Sequence, residues 1–118
     1  MGRVLILFLA MASLVSTFII PQAMAQSAST RAVAVMYHRF GEDQFPSTNI
    51  RVEHFEKQLN FLAENNFNIL SLEEIVGALK NDTHLPDKSV AITIDDAYRS
   101  VYEVAYPLLK QHGFPFTV

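Results

Sequence analysis

The stretch SVAITIDDAYRS, Ser89–Ser100, decides the fold. Its first six residues are an apolar, β-branched run without polar alternation, the profile of a strand covered on both faces. Asp95 and Asp96 follow at once. Beyond them Val101, Tyr102, Ala105, Leu108 and Leu109 recur at helical spacing, so a buried strand feeds a helix. Two adjacent like charges repel, and desolvation raises the cost of each. The pair must face water or meet a compensating charge.

Upstream the same alternation repeats. AVAVMYH is an apolar run ending at His38, and RFGEDQFPSTNI, with Gly41, Pro46, Ser47 and Asn49, reads as a loop. Val52, Phe55, Leu59 and Leu62 then mark one face of a helix that ends near Asn65-Asn66. FNIL is a short strand. Ser71 and Glu74 fit a capping box, which opens a helix carrying Leu72, Ile75, Val76 and Leu79 on one face. In the last helix Pro107 lacks the donor N–H, so it kinks that helix or starts a second piece. Gly113 is placed to end it in a left-handed conformation, and FPFTV begins a further strand. The order β-α-β-α-β-α-β, with strands too apolar to have a wet face, predicts an α/β fold with a parallel sheet covered by helices. A final strand with nothing after it leaves an edge, which suggests the first part of a larger domain, a barrel before closure.

Half of the 118 residues are apolar and 18% are charged, a globular composition. The net charge of −3, with no basic run, argues against nucleic acid as a partner. Residues 1–25 read as a signal peptide: Arg3, the apolar run VLILFLAMASLVSTFII, and Ala23-Met24-Ala25 before Gln26. The competing reading is a retained anchor, but 17 residues at a rise of about 1.5 Å fall short of a ~30 Å hydrocarbon core. Cleavage is therefore favoured, with no stable membrane span afterwards and with export to the periplasm, cell envelope or exterior. Residues 26–32 form a short polar leader, and 33–118 carry the domain. The chain has no cysteine, so an exported domain must rely on its core rather than on disulfides.

In parallel α/β folds functional groups collect at the carboxyl ends of strands. Asp95 and Asp96 fall there on the third strand, and His38 on the first. One carboxylate could bind a divalent cation while the other takes a proton from water. The plainer reading of the pair is a solvated loop or helix cap, and that of His38 a hydrogen-bonded structural residue. His54, His84 and His112 form no metal-spaced cluster. Tyr98, Tyr102 and Tyr106, at steps of four, suggest a helix face packed on the sheet rather than a sugar-stacking surface.

VAVMYHRFGED, TNIRVEHFEKQLNFL, LSLEEIVGALK and VAITIDDAYRSVYEVAYPLLKQHGFPFTV together resemble the opening of a polysaccharide deacetylase domain, the NodB-homology or carbohydrate esterase family 4 group, over Val33–Val118. The most specific part, TIDDAYRSVYEVAYPLL, is similar to the family motif T-F-D-D-G and its following helix. The resemblance implies the N-terminal part of an irregular (β/α) barrel and a hydrolase that removes acetyl groups from an acetylated glycan. It implies that Asp95 is the general base, that Asp96 is a ligand of a divalent metal, usually zinc, and that His38 is a wall of the site. The family's H-[ST]-x-x-H motif, its base-orienting arginine and its general-acid histidine are expected after residue 118, so the chain alone is expected to be inactive. Ile94 replaces the usual Phe, and Ala97 stands where Gly is commonest; a positive φ there would cost on the order of 1 kcal/mol. A non-catalytic exported module that binds a glycan or a partner protein is the competing class.

Overall fold

The computed structural model describes residues 28–29 and 31–118; the expected signal segment 1–25 lies outside them. Along the chain, β1 (Ala28–Ser29) precedes β2 (Ala32–Tyr37), the short strands β3 (Arg39–Phe40) and β4 (Asn49–Ile50), helix α1 (Val52–Glu64) and β5 (Asn68–Ile69). Then come α2 (Leu72–Lys80), β6 (Leu85–Pro86) and β7 (Ser89–Ile94). A π-helical turn (Val101–Ala105) leads into α3 (Tyr106–His112).

The decisive run, β7, is the centre of a parallel sheet ordered β2-β7-β5. β2 pairs along all of it, from Ala32 beside Ser89 to Tyr37 beside Ile94. β5 meets only its first two residues. The carbonyls of Val90 and Ile92 accept from Leu70 N and Thr117 N, so β5 and the Thr117 segment lie end to end along one flank of β7. The strand expected in FPFTV is thus a single parallel bridge, Thr93 to Thr117. The loop expected after β2 is also more structured than its composition suggested, because β3 and β4 pair in parallel. Gly41 sits there at φ 71°, and a Cβ on it would lie 2.9 Å from Val52 Cγ2, so a side chain there would clash. The polar leader is tied down as well, with Ala28–Ser29 antiparallel to Leu85–Pro86.

Side chains of β7 alternate between two clusters. Ile92 and Ile94 join Phe40, Phe55, Leu59, Val101, Ala105 and Leu109 in the main core, and Ala91 joins Ile75 and Leu85 in a smaller one. Of the helix face expected through Val52, Phe55, Leu59 and Leu62, Phe55 and Leu59 are fully buried and Val52 and Leu62 are half-buried. Phe55 stands edge-on to Phe40 and Tyr37, with centroids 4.7 and 5.2 Å apart. β7 is therefore covered on both faces, as its composition predicts. β2 is not: Val33 and Met36 are each 59% exposed. As the first strand of the sheet order it has, among the described residues, β7 on one side only.

The helix boundaries follow local chemistry. Ser71 Oγ accepts from Glu74 N at 3.1 Å, and Ser71 N donates to Glu74 Oε2 at 2.8 Å, the expected capping box. Gly113 ends α3 at φ 67°, as expected. Pro107 has no N–H for the carbonyl of Glu103. Just before it Tyr106 N donates to Val101 O, five residues back, which makes the π turn, and α3 begins as the second piece. The tyrosine face is a correction. Tyr102 is 76% exposed, and the buried line is Val101, Ala105 and Leu109, the smaller apolar residues that let the helix approach the sheet.

Candidate active site at the carboxyl ends of the parallel strands

The β2–β7 ladder runs one bond beyond Ile94: Asp95 N donates to Tyr37 O at 2.8 Å. Extending the register of Tyr37 with Ile94 sets His38 beside Asp95. The expected site residues of the two strands therefore meet at one end of the sheet. His38 is half-buried and lines a cleft of about 190 Å³ with Met36, Arg39, Ser47 and Thr48.

Past Asp95 the backbone turns sharply. Asp96 has φ 60°, and Tyr98 N donates to Asp96 O at 2.9 Å, which closes a three-residue turn around Ala97. Helical backbone follows from Arg99. The left-handed residue of this loop is thus Asp96 and not Ala97, so the methyl of Ala97 meets no penalty from a positive φ. Aspartate is one of the few non-glycine residues that visit this region readily. Both aspartates are exposed, and neither carboxylate has a hydrogen-bond or ion-pair partner among the described residues. Facing water is how the pair avoids the desolvation cost raised by its sequence.

Next to this turn lies a network that the sequence reading did not anticipate. The guanidinium of Arg39 has its Cζ 3.3 Å from the Tyr98 ring centroid and 3.9 Å from that of Phe45. Its Nη1 pairs with Glu42 Oε2 at 2.8 Å. The other carboxylate oxygen of Glu42 accepts from Ser100 Oγ at 2.5 Å, and that hydroxyl accepts from Phe40 N at 3.3 Å. The Ser100 hydrogen bond, joined by the bond and charge of Arg39, holds the Glu42 carboxyl below its usual range. Arg39, Phe40, Glu42, Tyr98 and Ser100 border a cleft of about 430 Å³ with Gly41, Arg99 and Glu103. The opposite charges of Arg39 and Glu42 on either side of Gly41 are the local signal that could have found the pair; nothing in the sequence pointed to Ser100, 58 positions away.

Exposed, unpartnered carboxylates are the donor type that a divalent cation takes, so Asp96 fits as one oxygen ligand. Among the described residues no group of three His, Cys, Asp or Glu side chains is close enough to complete such a site. Likewise, no described helix is long and apolar enough to cross a membrane.

Residues 82–118 match the family described as polysaccharide deacetylase. The Bacillus subtilis (strain 168) protein YxkH, assigned by name to the polysaccharide deacetylases, is 32% identical over 84 residues. The match covers 71% of this chain and 29% of that protein. The poly-β-1,6-N-acetyl-D-glucosamine N-deacetylase of Escherichia coli (strain K12) is 28% identical over 85 residues, with 70% and 13% covered. Among solved structures, a de-N-acetylase from Aggregatibacter actinomycetemcomitans superposes with a TM-score of 0.63 at 29% identity, over 72% of this chain and 36% of that one. The chain thus spans less than a third of the length of these two curated relatives and about a third of the solved structure. The parallel α/β arrangement read from the sequence matches part of a deacetylase fold.

Proposed function

Starting from a chain related in sequence and fold to the polysaccharide deacetylases, we propose that it carries the first part of the catalytic centre of a metal-dependent deacetylase. The substrate class is an acetylated polysaccharide of the N-acetylglucosamine type, the one named for the Escherichia coli relative. The observation that carries this reading is the Asp95–Asp96 pair. It closes the central parallel strand, exposed and unpartnered, beside His38.

In this reading Asp96 holds a divalent cation, zinc by the family resemblance, together with ligands outside the described residues. Such a cation polarises an acetyl carbonyl and acidifies water. Asp95, held at the strand end by its bond to Tyr37 O, accepts the proton of the attacking water. The oxygen of that water adds to the acetyl carbon, the C–N bond breaks, and the amine nitrogen takes a proton; acetate and a free amine result. His38 borders the space in which the acetyl group sits. Residues 1–25 direct export and are removed before Gln26, so the enzyme works on glycan outside the cytoplasm.

Acetate release from poly-N-acetylglucosamine, with zinc added, tests the proposal. The measurement is made on this chain and on a form lengthened through the H-[ST]-x-x-H segment. The lengthened form is expected to be active and to lose at least about 100-fold with Asp95→Asn, the scale of a general base. Silence of the lengthened form, or activity that survives Asp95→Asn, would overturn it. Edman sequencing of the exported protein should begin at Gln26.

A further inference from the structure

The aspartate turn has two anchors, and only one belongs to the sheet. On its amino side Asp95 N is bonded to Tyr37 O. On its carboxyl side the anchor is the Arg39 network. Tyr98, whose own N–H closes the turn on Asp96 O, has its ring centroid 3.3 Å from Arg39 Cζ, and Ser100 is bonded to Glu42. Arg39 and Glu42 are themselves fixed. Their side chains are only 15% and 23% exposed, Glu42 N donates to Asn49 Oδ1 at 2.8 Å, and Phe45 N donates to Glu42 O at 2.9 Å, which sets the second ring over the cation.

We infer that Arg39, held between the rings of Phe45 and Tyr98 and paired with Glu42, is a positioning residue that fixes the backbone of the Asp95–Tyr98 turn. Two features favour this over an incidental ion pair. The guanidinium is stacked on two rings and also pairs with a carboxylate, a geometry that a planar cation fills and an ammonium does not. Arg39 pairs with Glu42 and with neither aspartate among the described residues; its contact with the turn is through the Tyr98 ring. A turn whose Asp96 sits at φ 60° has extended alternatives close in energy, and an outside contact is needed to select one. The consequence for chemistry rests on the roles proposed for Asp95 and Asp96. The clamp itself does not.

The test is amide hydrogen exchange followed by NMR on the chain without metal or substrate, which separates the clamp from the proposed activity. Arg39→Met and Arg39→Lys are compared with the parent at Tyr98 and Val101, whose N–H groups are bonded within the turn and helix start. The amides of Ile94 and Thr117, which donate to Thr117 O and Ile92 O across the β7 flank, serve as the reference. Both variants are expected to lower protection at Tyr98 and Val101 by roughly tenfold or more while the reference amides keep theirs, the mark of local opening. Equal losses at the reference amides would show a merely structural residue and overturn the inference. So would wild-type protection in Arg39→Lys, because charge alone would then suffice. Should the Arg39 variants fail to fold, Phe45→Ala removes one ring from an exposed loop position, and it should give the same local loss at Tyr98.

Discussion

At the residue scale the structure moves the strain of the aspartate turn by one position. A family resemblance that places Ala where Gly is commonest implies a penalty at Ala97 if that position needs a positive φ, and the left-handed backbone belongs instead to Asp96. The two placements give opposite signs for one substitution. With no positive φ at position 97, Ala97→Gly offers no relief of strain and only enlarges the freedom of the unfolded chain. It should destabilise by about 0.5–1 kcal/mol in urea unfolding, where a left-handed Ala97 would make it stabilising. At position 96, Asp96→Val should cost on the order of 1–2 kcal/mol, since a β-branched side chain meets the full left-handed penalty that Asp tolerates. Asp96→Asn should stay near the parent in stability, because Asn visits this region as readily. Any loss of divalent-ion binding in Asp96→Asn would then report a lost ligand rather than a lost fold.

Local rules carried well at the scale of elements, and long-range pairings did not. The Ser71–Glu74 box, the Phe55–Leu59 face, the break at Pro107 and the left-handed Gly113 were all legible, because each depends on residues within one or two turns of one another. The strand ends that gather Asp95 and His38 were legible for a similar reason: a parallel sheet collects its carboxyl ends wherever it pairs. The β3–β4 pairing, the Arg39–Glu42–Ser100 network and the capture of the leader by β6 were not. Each joins residues that no period or motif relates. Ser71→Ala removes both bonds of the hydroxyl, the one from Glu74 N and the one to Glu74 Oε2, leaves that of Ser71 N, and should cost about 1 kcal/mol, measured by urea unfolding. The box also sets a pH dependence. The Ser71 hydroxyl and then the Ser71 backbone N–H bond the Glu74 carboxylate and hold its carboxyl below the usual range. The folded state therefore releases this proton more readily than the unfolded chain. The resulting stability is present above the ordinary carboxylate range and is lost as pH falls through the lowered folded value. Titration of stability from pH 7 to pH 3 should show that loss in the parent and a flatter curve in Glu74→Gln.

For the whole molecule, the sheet is covered unevenly, and stability should follow that asymmetry. β7 is sealed on both faces by Ile92 and Ile94 against α1 and α3, and by Ala91 against Ile75. β2 lies at the edge with Val33 and Met36 open, although its composition reads like that of β7. Sequence alone could not separate them, since an apolar strand has the same composition whether its cover is supplied by neighbouring residues or by something beyond them. The part of a deacetylase fold that this chain spans is about a third of the solved relative, which leaves most of that fold's surface unmatched. A substitution on the open face should therefore barely affect the chain itself, while one in the sealed core should be severe. Met36→Lys should change unfolding free energy by no more than about 0.5 kcal/mol, the usual range for an exposed site. Leu59→Ala, at a fully buried position among Phe55, Ile92 and Leu109, should cost about 2–5 kcal/mol through lost transfer energy and the cavity left behind. Urea unfolding of both variants gives the comparison. A Met36→Lys cost near that of Leu59→Ala would mean that the outer face of β2 is covered in solution, and gel filtration would then show whether a second copy of the chain supplies the cover.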